Sequence, residues 1–105
     1  MTTRKQFSSF NDLITNTSRP VLVSFYATWC GYCQSFAPIL DRVKAKIGDR
    51  IQVVKINSEK YPELASQYEV KSLPTTLLFT EGELASRIKG MMQEGELLQY
   101  LQKFL

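Results

Sequence analysis

Two apolar, β-prone runs with a helical pattern between them place the strongest limit on what this chain can fold into. Residues 21–27 (VLVSFYA) and 51–57 (IQVVKIN) have the length and near-continuous apolar character of strands that are covered on both faces. The apolar residues between them recur at helical spacing, which predicts an amphipathic helix that ends near Gly48. These residues are Phe36, Leu40, Val43 and Ile47. A strand, a helix and a strand in this order form a parallel pair, which is typical of the α/β class.

The remaining segments extend this unit in both directions. Residues 7–17 and 60–69 have the pattern of short helices, and residues 97–105 predict a closing helix. Residues 73–90 predict two strands joined by a hairpin turn at Glu81–Gly82. With room for one more strand ahead of the first helix, we expect a central mixed sheet of about five strands, flanked by helices on both faces.

Composition and charge exclude several classes of protein. The length suits a single domain over residues 1–105, and 44% apolar with 22% charged residues indicates a globular chain. The net charge of +3 is scattered along the sequence, so we expect no nucleic-acid or membrane surface. The sequence has no apolar span of membrane length, no signal sequence and no heptad seam. We therefore expect a cytoplasmic monomer.

The chain contains two cysteines, Cys30 and Cys33, and no histidine. Because the first strand ends near Ala27 and the helix follows, Cys30 falls at a helix N-terminus, where unpaired N–H groups and the helix dipole favour an anion. The pKa of its thiol should therefore fall below the free value of about 8.5. Cys33 lies one helical turn further on, close enough to Cys30 for a disulfide, and we expect it to be the more buried of the two.

Four interpretations of this pair differ in the chemistry that they need. A structural zinc site needs four nitrogen or sulfur ligands, which this chain supplies only if two copies share the metal, so we expect no metal site. A structural disulfide here would close a very short loop and remove little entropy from the unfolded chain. Two buried, unpaired thiols need no function at all. A dithiol–disulfide redox pair makes direct use of the helix N-terminus, and we favour it.

Five segments, in order and at matching spacing, resemble the thioredoxin family over essentially the whole chain. FYATWCGYC (25–33) resembles its active-site segment, and Ala37–Pro38 resembles the segment in which a proline kinks the long helix. VVKIN (53–57) resembles its third strand, and SLPTTLLF (72–79) resembles the segment that carries its cis-proline. EGE and KGM match its last hairpin, with Gly90 at the family's glycine position. The resemblance implies a thioredoxin fold.

The same resemblance implies a thiol–disulfide oxidoreductase that acts on disulfide-containing protein substrates. Cys30 would be the attacking nucleophile and Cys33 the resolving thiol, with Pro74 as the cis-proline beside them. A thioredoxin reductase, either a flavoprotein or a ferredoxin-linked enzyme, would restore the dithiol, and no cofactor is implied beyond the redox-active disulfide. The substrate-facing residues implied by the family are Trp29, Gly31, Tyr32, Leu73, Lys89, Gly90 and Met91.

Two residues depart from the family pattern. Tyr32 stands where thioredoxins carry proline, so the active-site turn keeps a backbone donor and the pair should be more oxidising. Ser24 stands in place of the buried aspartate that takes and returns the proton of the resolving thiol, and serine cannot act as a base at neutral pH. Lys55 stands where the family has the lysine that neighbours this aspartate. Without the aspartate, Lys55 would reach solvent, pair with Glu59 or stabilise a thiolate.

These departures leave other functions open beside that of a general protein-disulfide reductase. A more oxidising member of the family would act in disulfide exchange, isomerisation or redox sensing. A non-catalytic member would bind partners through the apolar surface formed by the substrate-facing residues named above. Replacement of Cys30 and Cys33 by serine separates an enzyme from a binding module, because only the enzyme needs the sulfur atoms.

Overall fold

The computed structural model describes residues 2–105, with side chains from residue 9 onward. In chain order the elements are α1 (Thr2–Thr15), β1 (Val21–Tyr26), α2 (Gly31–Ile47), a short 3-10 turn (Gly48–Arg50), β2 (Gln52–Asn57), α3 (Pro62–Gln67), β3 (Thr75–Thr80), β4 (Glu83–Lys89) and α4 (Glu94–Gln102). The predicted order of strands and helices is confirmed from β1 onward. None of the helices in this described part of the chain is long and apolar enough to cross a membrane.

The strands form one mixed sheet in the order β2-β1-β3-β4. β1 pairs with β2 in parallel, as the strand–helix–strand pattern predicts, and β3 pairs antiparallel with both β1 and β4. The expected number of about five strands is corrected to four within residues 2–105. The reason is that the chain is already helical from Thr2, so the segment ahead of the first predicted helix adds to α1.

Both faces of the sheet are covered because successive side chains of a strand point to opposite sides. From β1, Leu22 packs with α2 and α4, while Val21, Val23 and Phe25 pack with α1 and α3. All four side chains are fully buried, which accounts for the continuous apolar run in the sequence. By the same alternation Ser24 shares the face of Leu22, and it therefore points towards α2, the helix that carries the cysteines.

The two residues of the β3–β4 turn take backbone conformations that favour glycine. Glu81 has a φ of 53° and Gly82 a φ of 82°, and a type I′ hairpin turn requires positive φ at both positions. A Cβ atom added at Gly82 would lie 2.9 Å from Cγ2 of Thr15, at the end of α1. The glycine therefore serves both the turn and the close packing of α1 against it.

We expect Gly82→Ala to destabilise the protein by about 2 kcal/mol, because it combines a strained positive φ with a close contact to Thr15. Gly95→Ala is the matched control. Gly95 lies in α4, where an added Cβ meets no atom within 4 Å outside its own stretch of helix, so alanine should stabilise by about 0.5 kcal/mol. Equilibrium unfolding in urea measures both effects, and equal stability of the wild type and Gly82→Ala would contradict this role of the turn.

Candidate active site

Cys30 is the N-cap residue of α2. Its extended backbone (φ −86°, ψ 114°) leads the chain from β1 into the helix, and its Sγ accepts a hydrogen bond from the backbone N–H of Cys33 at 3.2 Å. In most helices a side-chain oxygen fills this position, and here a sulfur does. A thiolate formed at Cys30 would therefore receive an N–H donor and lie at the positive end of the helix dipole.

Both thiols are free and equally buried, with 6% of each residue exposed. The expectation that Cys33 is the more buried of the two is therefore wrong. The reason is the segment ahead of β3, where Leu73 packs against the cysteine pair together with Tyr26 and Ala27. The Cys30 thiol donates a hydrogen bond to the Leu73 carbonyl at 3.7 Å. Tertiary packing thus covers Cys30 as fully as the helix covers Cys33.

Burial raises the pKa of the Cys33 thiol to about 11. Cys30 adds to this rise through the hydrogen bond between the two thiols and through charge repulsion, whereas a backbone hydrogen bond from Ala27 lowers the pKa. At neutral pH Cys33 is therefore almost entirely protonated. It must lose a proton before it can act as a nucleophile.

The Leu73–Pro74 peptide bond is cis and lies beside the cysteines. The Pro74 carbonyl accepts a hydrogen bond from the N–H of Gly90 at 2.8 Å, and the exposed Lys89 immediately precedes it at the end of β4. The structure thus brings Pro74, Lys89 and Gly90 to the same end of the sheet as Cys30. Met91 is placed differently, since it packs partly buried against the core between the sheet, α2 and α4.

Two exposed aromatic side chains flank Cys30. Trp29 and Tyr32 are each 69% exposed, and Gly31, the first residue of α2, separates Cys30 from Tyr32. The indole Nε1 of Trp29 donates a hydrogen bond to Oε2 of Glu59 at 2.9 Å. The rim of the site is therefore aromatic and open to solvent, while the sulfur atoms lie beneath it.

Ser24 and Lys55 lie side by side on the two parallel strands behind Cys33. Ser24 is buried, with 3% exposed, and its hydroxyl accepts a hydrogen bond from Oγ1 of Thr76 at 3.4 Å. The ammonium of Lys55 forms an ion pair with Oδ1 of Asp41 on α2 at 2.9 Å. Of the partners considered for Lys55, Glu59 is thus the wrong acid, because its carboxylate accepts from Trp29 while α2 brings Asp41 over β2.

A cavity of about 400 Å³ opens between α2 and the strands β1 and β2. Its lining residues are Ser24, Tyr26, Ala27, Thr28, Cys33, Gln34, Phe36, Ala37, Leu40, Lys55 and Pro74. Cys33 can therefore be reached from behind the site as well as from the rim. Within residues 2–105, no three His, Cys, Asp or Glu side chains come together in a group that could hold a metal ion.

Two contacts of the site were not predicted from the sequence. They are the ion pair of Asp41 with Lys55 and the hydrogen bond of Glu59 with Trp29. A signal for Asp41 exists, because Cys33, Ala37 and Asp41 follow one another at intervals of four residues and so form one stripe of α2. No comparable signal exists for Glu59, whose contact with Trp29 joins two loops that are 30 residues apart.

Comparisons with known proteins agree on one family. The family profile described as Thioredoxin matches residues 1–103. The chain is 48% identical to thioredoxin-like protein slr0233 of Synechocystis sp. over 105 residues, which are 100% of both chains. It is 46% identical to the chloroplastic thioredoxin Y1 of Arabidopsis thaliana over 102 residues, which are 97% of this chain but 59% of that relative's length. The crystal structure of chloroplastic thioredoxin z matches with a TM-score of 0.84 at 26% identity, covering 91% of this chain and 87% of that one.

The mixed sheet and the matching sequences define the class as that of the thiol–disulfide oxidoreductases. The chain belongs to the thioredoxin family, and its fold is the thioredoxin fold. Members of this family generally act on disulfide-containing protein targets. Thioredoxin reductase or ferredoxin–thioredoxin reductase supplies their electrons.

Proposed function

We propose that this chain is a thioredoxin-type protein-disulfide reductase in which residues 1–105 act as one domain. The contact between Cys30 Sγ and the N–H of Cys33, at 3.2 Å, carries the proposal. It places the first sulfur at a helix N-terminus and within one helical turn of the thiol that must later attack it. Membership of the thioredoxin family supports the class of reaction.

In the proposed cycle the Cys30 thiolate attacks one sulfur of a substrate disulfide, and the other substrate sulfur leaves as a thiolate that takes up a proton. Cys33 then loses its proton and attacks Cys30 Sγ, which forms the Cys30–Cys33 disulfide and releases the second substrate thiol. Two electrons pass from the protein dithiol to the substrate. A thioredoxin reductase returns them, so the reaction needs no bound cofactor.

The raised pKa of Cys33 supports this order of events. Because Cys33 is protonated at neutral pH, Cys30 is the sulfur that attacks first. Once Cys30 is bonded to the substrate, neither its charge nor its thiol hydrogen bond can raise the pKa of Cys33, and burial is the main obstacle that is left. Formation of the mixed disulfide thus makes the second step easier.

The proposed substrate-binding face consists of the rim around Cys30. Trp29 and Tyr32 offer exposed aromatic surface, which suits contact with apolar protein side chains. Next to them the segment of Leu73 and cis-Pro74 would receive an extended stretch of substrate backbone. Gly31, Lys89, Gly90 and Met91 complete the set of proposed contacts, with Met91 at its edge because its side chain is partly buried.

A second candidate function, disulfide exchange or isomerisation at a more oxidising potential, is favoured by Tyr32. A tyrosine keeps the backbone N–H that proline lacks, and it leaves φ of the turn unfixed. Additional N–H donors near Cys30 stabilise its thiolate and therefore the reduced state of the pair. A reductant of the thioredoxin type should have a potential near −270 mV, whereas an exchange catalyst should lie near −200 mV or higher.

We expect Tyr32→Pro to make the Cys30–Cys33 pair more reducing by on the order of 30 mV, because the substitution removes one backbone donor and fixes the turn. Tyr32→Phe is the matched control, since it keeps the N–H and should leave the potential unchanged. Equilibration of each protein against glutathione and dithiothreitol buffers measures the potential. A wild-type value near −270 mV that Tyr32→Pro does not move would argue against the second candidate function.

The compartment, the oligomeric state and the kinds of partner are predicted from the sequence. We propose a cytoplasmic monomer that meets protein substrates and a reductase but neither nucleic acid nor membrane. Among the relatives, thioredoxin Y1 of Arabidopsis thaliana carries the description chloroplastic. Fractionation of the source cells and light scattering of the purified protein check the compartment and the oligomeric state.

A further inference from the structure

The cavity behind Cys33 connects the resolving thiol with Lys55, whose ion pair with Asp41 has no part in the proposed function. Cys33 lines it from α2, Ser24 from β1 and Lys55 from β2. The cavity of about 400 Å³ is large enough to hold water, and Ser24 and Lys55 are polar residues in a lining that is mainly apolar. It therefore offers Cys33 a second route to solvent, on the side away from the rim around Cys30.

The charged and titratable groups around Cys33 are few in the part of the chain that the structure describes. Tyr26 from β1 and Lys55 from β2 line the cavity, and Cys30 lies in the same turn as Cys33. The segment ahead of β3 contributes Pro74, which has no titratable group. Lys55 is thus the cation nearest to the wall of the cavity, and an ammonium favours the thiolate form of a nearby thiol.

Asp41 holds the Lys55 ammonium in an ion pair at 2.9 Å. The Lys55 side chain is 38% exposed and that of Asp41 is 68% exposed, so their ion pair lies on the solvent side of the cavity. Asp41 belongs to the same stripe of α2 as Cys33 and is therefore held at a fixed distance from it along a rigid helix. The carboxylate holds the ammonium in this ion pair, about two turns of α2 along from the resolving thiol.

We propose that Asp41 is a positioning residue that restrains the second step of the reaction, by holding Lys55 away from Cys33, and that the Cys33 proton leaves to solvent water through this cavity. The proposal rests on the proposed function, because only an attack by Cys33 makes the loss of its proton matter. In that step Cys33 Sγ–H transfers its proton to water and the thiolate attacks Cys30 Sγ. The Cys30–Cys33 bond forms, the bond from Cys30 to the substrate sulfur breaks, and the substrate thiolate takes up a proton from solvent.

Removal of the two charges should therefore have opposite effects. Asp41→Asn frees the ammonium to turn towards the cavity, and we expect the second step at neutral pH to become about threefold faster. Lys55→Gln removes the cation and leaves the carboxylate, and we expect the second step to become about threefold slower. The double variant should return close to the wild-type rate. A pair that merely braces α2 against β2 would give two variants that change in the same direction.

The experiment mixes each reduced protein with one equivalent of an aromatic nitrobenzoate disulfide, which releases one coloured thiolate when Cys30 attacks and a second when Cys33 resolves the mixed disulfide. The rate of the second release is recorded against pH. We expect its midpoint to lie at lower pH in Asp41→Asn and at higher pH in Lys55→Gln, with the first release unchanged. Asp49→Asn and Lys44→Gln are matched controls, because they remove the same charges near the far end of α2.

The outcomes separate this inference from the proposed function. Two releases in the wild type with opposite shifts in the two variants support the role of Asp41. Two releases with equal shifts, or with the shifts reproduced by the control variants, overturn it and leave the reductase intact. A wild type that gives no second release and forms no Cys30–Cys33 disulfide overturns both.

Discussion

Cys30→Ser and Cys33→Ser should each reduce the turnover of a disulfide-bonded protein such as insulin by roughly a thousandfold or more, when thioredoxin reductase supplies the electrons. A serine hydroxyl at position 30 would accept the N–H of Cys33 as well as sulfur does, but it is not ionised at neutral pH and cannot attack a disulfide. Only Cys33→Ser should accumulate a covalent adduct with the substrate, because its Cys30 still attacks and nothing then resolves the bond.

Non-reducing electrophoresis and the mass of the intact adduct distinguish the two variants. Ser35→Ala is a suitable control, since Ser35 is exposed on the same turn of α2 and should leave turnover unchanged. An adduct in Cys30→Ser but not in Cys33→Ser would reverse the roles of the two sulfurs. A double serine variant that retains the biological activity of the wild type would instead favour the binding module.

The strands and the hairpin could be predicted because their signals are local. The run VLVSFYA predicts a strand over 21–27 and the structure has β1 at Val21–Tyr26, since a strand buried on both faces has little room for polar residues. Glu81–Gly82 marks the turn because glycine adopts positive φ without strain. The helix end at Gly48 has the same origin.

The parts of the site that could not be predicted depend on which helix packs over which strand. The partner of Lys55 could not be chosen from the sequence, because Glu59 is nearer along the chain while Asp41 is nearer in space. The equal burial of the two cysteines could not be predicted for the same reason, since Leu73 covers Cys30 from a segment more than 40 residues away. Sequence patterns give the elements, and contacts between elements give the surroundings of each reactive group.

Ser24→Asp should accelerate the release of the second thiol in the nitrobenzoate assay by at least about tenfold at neutral pH. Ser24 is buried on the wall of the cavity that Cys33 lines, so a carboxylate there can accept the Cys33 proton directly or through one water molecule. The neighbouring strand places Lys55 opposite this position, which would help to keep the new carboxyl group ionised. In the wild type the buried Cys33 thiol has to lose its proton without such a base, and burial is the main cause of its raised pKa.

Ser24→Asn is the matched control, because the amide has the size of the carboxyl group but cannot take up the proton. Equal acceleration by the two variants would show that space or hydrogen bonding, and not proton transfer, limits the second step. The aspartate should also lower stability by about 1–3 kcal/mol at neutral pH, since a charge replaces a buried hydroxyl. Burial raises the pKa of such a carboxyl group above its value in the unfolded chain. This loss of stability should therefore shrink as the pH falls towards the pKa of the carboxyl group in the unfolded chain. A gain in the second step that accompanies a loss of stability at neutral pH would mean that serine at this position favours the fold at the expense of proton transfer.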